Sequence, residues 1–296
     1  MPSFFTTKPR RWKSSKMISQ PTYFEAQQWA FSYVKAHNGY REDATWLLRA
    51  PHEWDETALL VHLRDSMPLA EWQQYQTNVQ RVCAGWPPQQ LVGKAPFFGR
   101  WFAVTEDTLI PRVETGDLVE WLLADYPENE EKRVVDLGTG SGNIGITLKL
   151  AHPKWQVTLT DISPQAARVA ETNAHRLGAA VNVVVGDLIA PLIGQFDVLV
   201  MNPPYIAPSE QAQMDASVLE HEPAQALFAP GNGLAVYRRL AVEAPRVLLP
   251  HGRIYLEIGW HQGEAVRQLF ETQLPAAQVT VRQDEAGHDR MVRMCL

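Results

Sequence analysis

At 296 residues, with 45% of them hydrophobic and a formal net charge of −6, the chain is long enough for one large or two ordinary domains with well-buried cores. No window approaches ~18 uncharged apolar residues, which excludes a helical membrane span, and no apolar segment near the start has a secretory profile. Cys83 and Cys295 are isolated and the nine histidines show no metal-ligand spacing, so a metal-free, cytoplasmic protein is expected.

The charge is unevenly spread. Lys8, Arg10, Arg11, Lys13 and Lys16 fall in the first 20 residues with no acid among them, a +5 segment that leaves −11 for the rest. So acidic a body is poorly suited to wrapping bare nucleic acid, whose binding depends on neutralising phosphates. Residues 1–21 read as a basic, disordered extension, with an organelle-targeting peptide as the alternative. From 22 to 85 the sequence has helix-like segments and no convincing strand: Tyr23–His37, Arg41–Ala50, Glu56–Asp65 and Ala70–Ala84, a small helical domain punctuated by Pro51 and Pro68. Residues 86–112 change texture. Gln89–Gly93 and Arg100–Thr105 read as short β-like runs around Lys94-Ala-Pro-Phe-Phe-Gly99, a hairpin linker.

Residues 113–296 open with a helix over Thr115–Ala124 and then alternate strand and helix. Strands are predicted at Arg133–Leu137, Gln156–Thr160, Asn182–Val185, Phe196–Met201 and Gly252–Ile258, with a final pair near Gln278–Arg282 and Arg290–Cys295. Helices are predicted at Ile144–Ala151, Pro164–Leu177, Ala235–Leu248 and Gln262–Thr272. Such alternation with short connections predicts a doubly wound, mostly parallel α/β sheet.

Two motifs end strands of that sheet. Asp136-Leu-Gly-Thr-Gly-Ser-Gly142 is a glycine-rich turn ahead of a helix, which lets the backbone approach a polar or anionic ligand. Gly140-x-Gly142-x-x-Gly145 followed by Asp161 also satisfies a dinucleotide fingerprint, and taken alone this turn does not separate NAD from S-adenosylmethionine. Asp161 suits a ribose hydroxyl in either case. Three features favour S-adenosylmethionine. Asp136 opens the turn. Gly186-Asp187-Leu188 ends the third strand, where the acid can accept from an adenine amino group and the leucine can pack on the ring. Asn202-Pro203-Pro204-Tyr205 ends the fourth and faces the same crevice.

That last motif names a chemistry. A planar NH2 group presents two donors, so a site that holds it needs two convergent acceptors and a wall. The Asn202 side-chain oxygen and a backbone carbonyl beside it, most simply that of Pro203, are the acceptors, and the Tyr205 ring is the wall. The prolines stiffen the turn and remove N–H groups that would repel the substrate's own donors. An Asn that merely caps a proline-terminated strand is the bland alternative.

At these residues the chain resembles the HemK/PrmC family, the glutamine methyltransferases of class-1 peptide-release factors. The marks are Leu109-Ile-Pro-Arg-Val-Glu-Thr115, Asp136–Gly142, Asp161, Asn202–Tyr205, Tyr255-Leu-Glu-Ile-Gly259 and Gly287-His-Asp-Arg290. The resemblance implies a methyltransferase with S-adenosylmethionine held by Gly138, Thr139, Gly140, Ser141 and Gly142, its ribose on Asp161 and its adenine near Asp187 and Leu188. Asn202, Pro203, Pro204 and Tyr205 would hold the glutamine of the release factor's Gly-Gly-Gln tip, with Asn202 adjoining the cofactor as well. It also implies a helical N-terminal domain that docks the release factor; a monomer that contacts neither membrane nor nucleic acid is expected. Val113 and Gly116 stand where the family usually has Pro and Glu. Arg112 is expected near the cofactor's carboxylate, with helix capping by Glu114 and Thr115 as the alternative role for this segment.

Weaker candidates remain. Glu220-His221-Glu222-Pro223 reads as a solvated helix end. Phe97 and Phe98 either cover the substrate or pack between domains, and Glu257 either lines the crevice or satisfies backbone donors. Exocyclic-amine methylation of a nucleic-acid base, glutamine methylation of a ribosomal protein, and a binding module without catalysis are the competing functions.

Overall fold

The computed structural model describes residues 20–127 and 129–296, so the basic segment ahead of Gln20 lies outside the described residues. The chain divides after Cys83 into two units, each with its own core. The first contains α1 (Tyr23–Ala36), α2 (Arg41–Arg49), α3 (Glu56–His62) and α4 (Leu69–Cys83). A capping box starts α1: the Thr22 hydroxyl accepts from the Glu25 amide while the Glu25 carboxylate accepts from the Thr22 amide. Helix α3 stops at His62, short of the predicted Asp65. The Leu63 and Asp65 carbonyls instead accept from Phe24 and Tyr23, whose amides in the first turn of α1 have no partner inside that helix. Ala30, Val34, Leu47, Leu48 and Val79 form the buried interior.

The second unit begins with α5 (Pro88–Val92), β1 (Lys94–Phe97), β2 (Arg100–Ala103) and α6 (Glu114–Ala124). It continues through β3 (Arg133–Leu137), α7 (Asn143–Ala151), β4 (Gln156–Asp161), α8 (Pro164–Leu177), β5 (Asn182–Val185) and β6 (Phe196–Met201). Then come α9 (Ala216–His221), α10 (Ala224–Leu227), α11 (Ala235–Glu243), β7 (Leu248–Glu257), α12 (Gly263–Gln273), β8 (Gln278–Gln283) and β9 (Asp289–Cys295). Gln89–Gly93, predicted as extended, is the helical α5. Pro88 supplies a fixed φ at the helix start and Gly93 closes it in the left-handed region at φ +76°, so pairing starts only at Lys94. The β1–β2 hairpin is fastened to α8 by Asn173, whose Oδ1 accepts from the Ala103 amide at 2.7 Å and whose Nδ2 donates to the Ala103 carbonyl at 2.9 Å. Phe97 is buried in this unit's core, and Phe98 at the hairpin tip is partly exposed.

Seven strands form the sheet in the order β5-β4-β3-β6-β7-β9-β8, parallel through β7 and antiparallel at β9 and β8. From central β3 the chain moves outward to β4 and β5, then returns to lay β6 on the opposite side of β3. A crevice therefore opens at the carboxyl ends of β3 and β6, where successive connections run in opposite directions. Leu118, Leu122, Ile146 and Trp155 fill one face of the sheet; Leu199, Tyr237, Leu240 and Phe270 fill the other. Helix α11 ends at Glu243 instead of reaching Leu248, because Pro245 removes an amide the helix would need and the chain turns through a short 3-10 segment into β7. Among the described residues no helix is long and apolar enough to cross a membrane.

Candidate active site

Strand register assembles the site. Leu137 pairs with Thr160 of β4 on one side and Met201 of β6 on the other, and Met201 pairs with Leu256 of β7. The residues that follow these four, Asp161, Gly138, Asn202 and Glu257, therefore stand in one row across four parallel strands. Above them lies a crevice of about 670 Å³ lined by Gly138, Gly140, Asp161, Ile162, Leu188 and Asn202. A second chamber of about 220 Å³ shares Arg112 and Asn202 with it and is lined further by Pro203, Tyr205, Met214, Val218 and Glu257.

The glycine-rich turn bends into the crevice through Gly138 and Gly140, at φ +63° and +56°. Two buried acids set its shape. Asp136 Oδ2 accepts from Thr139 Oγ1 at 2.6 Å and from the Gly145 amide at 2.9 Å, while its Oδ1 has no partner among the described residues. Burial pushes this carboxyl up to about 7, against the pull of those two hydrogen bonds. Asp161 accepts from the Gly140 amide on Oδ2 and from the Ser163 amide on Oδ1, both at 2.9 Å. Burial raises it too, and the same backbone bonds oppose the rise.

Gly145 brings α7 against the sheet. A Cβ there would lie 2.2 Å from Leu159 Cδ2 and 3.0 Å from Asp136 Cβ. Gly145→Ala should therefore push α7 off β4, disturb the Asp136 anchor and cost about 1–3 kcal/mol, read as a lower urea midpoint. An unchanged midpoint would show that the helix can retreat freely. At Gly116, by contrast, a Cβ would meet only Phe98 Cδ2 at 4.0 Å, so glycine is not required there for space.

The crevice fits S-adenosylmethionine. Each carboxylate oxygen of Asp161 retains acceptor capacity beyond its backbone bond, enough for a pair of ribose hydroxyls. Ile162 and Leu188 offer apolar walls for a flat base, and Leu188 is held at φ +47°, in the left-handed region that favours glycine. Asp187 lines the crevice with both carboxylate oxygens engaged by Arg239 of α11 at 3.1 and 3.0 Å, an exposed bidentate pair.

Asn202 is held by residues from two other elements. Its Nδ2 donates to Thr115 Oγ1 at 3.2 Å, and the Thr115 hydroxyl donates to Glu257 Oε2 at 2.6 Å. The other Glu257 oxygen accepts from the Tyr205 hydroxyl at 3.3 Å. Thr115 thus spends its hydroxyl on Glu257 and not on a helix cap, and the N-cap residue of α6, Val113, makes no side-chain capping bond. Gln262 secures the rest of the motif, with Nε2 donating to the Tyr205 carbonyl at 2.9 Å and Oε1 accepting from the Gly259 amide at 3.0 Å. A Cβ on Gly233 would sit 1.9 Å from that same carbonyl, so only glycine admits this approach.

Glu222 overturns its reading as part of a solvated helix end. Its side chain is 1% exposed, pairs with Arg112 Nη2 at 2.5 Å and accepts from the Ile110 amide at 3.1 Å. Both its charge and its lone pairs are satisfied by the Ile110-Pro-Arg112 segment, which is what permits an acid to be buried there. The Glu222 clamp, the Gln262 bracket and the Thr115–Glu257 bridge were not legible in the order of residues. Their visible traces were the Ile-Pro-Arg and Tyr-Leu-Glu-Ile-Gly segments, whose partners lie far away along the chain.

This architecture is that of an S-adenosylmethionine-dependent methyltransferase. It matches a crystal structure of a methyltransferase from Pyrococcus furiosus over 74% of this chain and 96% of that one, with a TM-score of 0.51 and 15% identity. It likewise matches the hMettl16 catalytic domain, solved with a MAT2A 3'UTR hairpin, over 85% and 90% with a TM-score of 0.54 and 16% identity. At such identities the likeness concerns the fold alone. Residues 25–93 match the family model of the PrmC N-terminal domain, and residues 115–248 that of the Methyltransferase small domain. The release factor glutamine methyltransferase of Enterococcus faecalis is 41% identical over 91% of this chain and 97% of its own length; that of Bordetella pertussis is 43% identical over 79% and 86%. The chain belongs to the release factor glutamine methyltransferase family.

Proposed function

We propose that this enzyme transfers the methyl group of S-adenosylmethionine to the side-chain amide nitrogen of the glutamine in the Gly-Gly-Gln motif of class-1 peptide-release factors. It acts in the cytoplasm as a monomer, without direct contact to nucleic acid, and residues 22–85 dock the release factor. The observation that carries the reading is the Asn202 amide, whose nitrogen donates to Thr115 while its oxygen has no hydrogen bond from any described residue. Asn202 lines both the larger crevice and the smaller chamber.

S-adenosylmethionine, when bound, supplies a methyl carbon made electrophilic by the adjacent sulfonium. In this proposal Gly138, Thr139, Gly140, Ser141 and Gly142 cradle it, Asp161 takes its ribose, and Leu188 and Asp187 flank its adenine. Asn202 Oδ1 and the Pro203 carbonyl accept the two N–H groups of the glutamine, with the Tyr205 side of the chamber as the wall. Two acceptors on the amide protons hold the nitrogen in line for displacement and stabilise the positive charge that develops on it. After transfer the surplus proton leaves to water through Asn202 or the adjacent carbonyl.

Incubation with radiolabelled S-adenosylmethionine and either purified release factors or total RNA and DNA tests the assignment. Label in the Gly-Gly-Gln peptide is the expected result. Label confined to nucleic acid would overturn it.

A further inference from the structure

Asn202 can act as an acceptor only if its amide faces one way round. The two ends of a primary amide are nearly equal in size, so shape alone does not choose between them; the choice falls to the hydrogen bonds that each end makes. In this fold the choice is made two residues away. An ionised Glu257 can only accept, so the Thr115 hydroxyl must donate to it, at 2.6 Å. With its single proton spent, Thr115 Oγ1 can only accept, and it takes the Asn202 Nδ2 hydrogen at 3.2 Å. The Asn202 oxygen is thereby turned away from Thr115 and left for the substrate.

We propose that the buried Glu257–Thr115 pair is a positioning device which fixes the direction of the Asn202 amide and so sets the pH range in which the enzyme turns over. The proposal rests on the reading of Asn202 as the acceptor for the substrate amide. Neither Glu257 nor Thr115 transfers a proton in the reaction; both act through Asn202.

The surroundings of Glu257 make it able to switch. It is 2% exposed, and burial pushes its carboxyl up to about 7. Thr115 at the start of α6, the charge of Arg290 on β9 and the Tyr205 hydroxyl pull it down again; Glu114 on α6 adds a smaller push upward. Tyr237 of α11 donates to the Glu257 backbone carbonyl at 2.9 Å and so leaves both carboxylate oxygens to Thr115 and Tyr205. When Glu257 takes up a proton it becomes a donor towards Thr115. The Thr115 hydroxyl is then free to donate to Asn202 Oδ1, which turns the Asn202 NH2 toward the incoming amide. Two donors face each other and the acceptor is lost.

Turnover should be high above about 7, where Glu257 is ionised, and should fall as the pH drops through that value. Four proteins test this: the parental chain, Thr115→Val, Thr115→Ser and Glu257→Gln, each assayed for kcat against pH, with S-adenosylmethionine affinity by calorimetry as the check on folding. Thr115→Val should lose ~10²-fold in kcat with cofactor affinity unchanged, and Thr115→Ser should recover most of that loss. The acid limb should be absent in Glu257→Gln. Parental turnover by Thr115→Val, or an acid limb that persists in Glu257→Gln, overturns the proposal.

A readout independent of substrate separates this inference from the functional reading. In protein labelled with 15N-asparagine, the Asn202 side-chain NH2 resonance should shift through the Glu257 titration in the parental chain and stay flat in Glu257→Gln. If the parental chain labels no release factor, the proposed substrate is wrong, and the Asn202 resonance still decides the network. A resonance that ignores pH in the parental chain sinks the network whatever the substrate is.

Discussion

Asn202→Ala is expected to lower kcat by ~10²–10³-fold while changing the affinity for S-adenosylmethionine far less, as measured by single-turnover methylation beside calorimetric titration. The expectation comes from what the side chain does in the structure. Its nitrogen is anchored on Thr115, and the residue lines both chambers. In the proposed mechanism alanine removes one of two acceptors for the substrate amide. The amide nitrogen is a poor nucleophile because its lone pair is delocalised into the carbonyl, so the lost stabilisation falls chiefly on the transition state, where positive charge grows on nitrogen. The glycine-rich turn and Asp161 are untouched by the change. An Asn202→Ala enzyme that methylates at the parental rate would falsify the proposed mechanism.

Asp161→Ala should have the opposite signature: cofactor affinity weaker by ~10²-fold, with the loss visible in calorimetry before any turnover is measured. Hydrogen bonds to a charged acceptor contribute about 1.5–3 kcal/mol each, and tenfold in affinity corresponds to about 1.4 kcal/mol. Asp161 does two jobs at once. Its oxygens hold the Gly140 and Ser163 amides, which shapes the turn, and they retain capacity for the ribose hydroxyls. Alanine forfeits both. Asp161→Asn, which keeps one acceptor oxygen, should fall between the two. Cofactor affinity unchanged in Asp161→Ala would mean that the adenosine lies elsewhere in the crevice, away from β4.

Much of the second unit was legible because the information is local. Arg133–Leu137, Asn182–Val185 and Phe196–Met201 are short β-branched runs bounded by turn residues, and Pro164–Leu177 carries its own start and stop in Ser163 and Gly178. Local signals also misled. Gln89–Gly93 reads as extended, yet Pro88 and Gly93 impose a helical turn; Ala235–Leu248 reads as one helix, yet Pro245 ends it early.

The class of sheet, the glycine turn and the Asn-Pro-Pro-Tyr corner can be read from the order of residues, because each depends on residues that act within a few positions of one another. Which side chains hold those motifs in place is visible only in the folded chain. Thr115 and Glu257 come from α6 and β7, Glu222 reaches back to Arg112, and Gly233 meets the Tyr205 backbone. Nothing in the neighbourhood of an isolated acid tells whether it is solvated or buried against a partner more than a hundred residues away. Strand register supplies part of the answer, because it places Asp161, Gly138, Asn202 and Glu257 in one row, where Asn202 and Glu257 meet on the Thr115 hydroxyl and Asp161 takes the Gly140 amide.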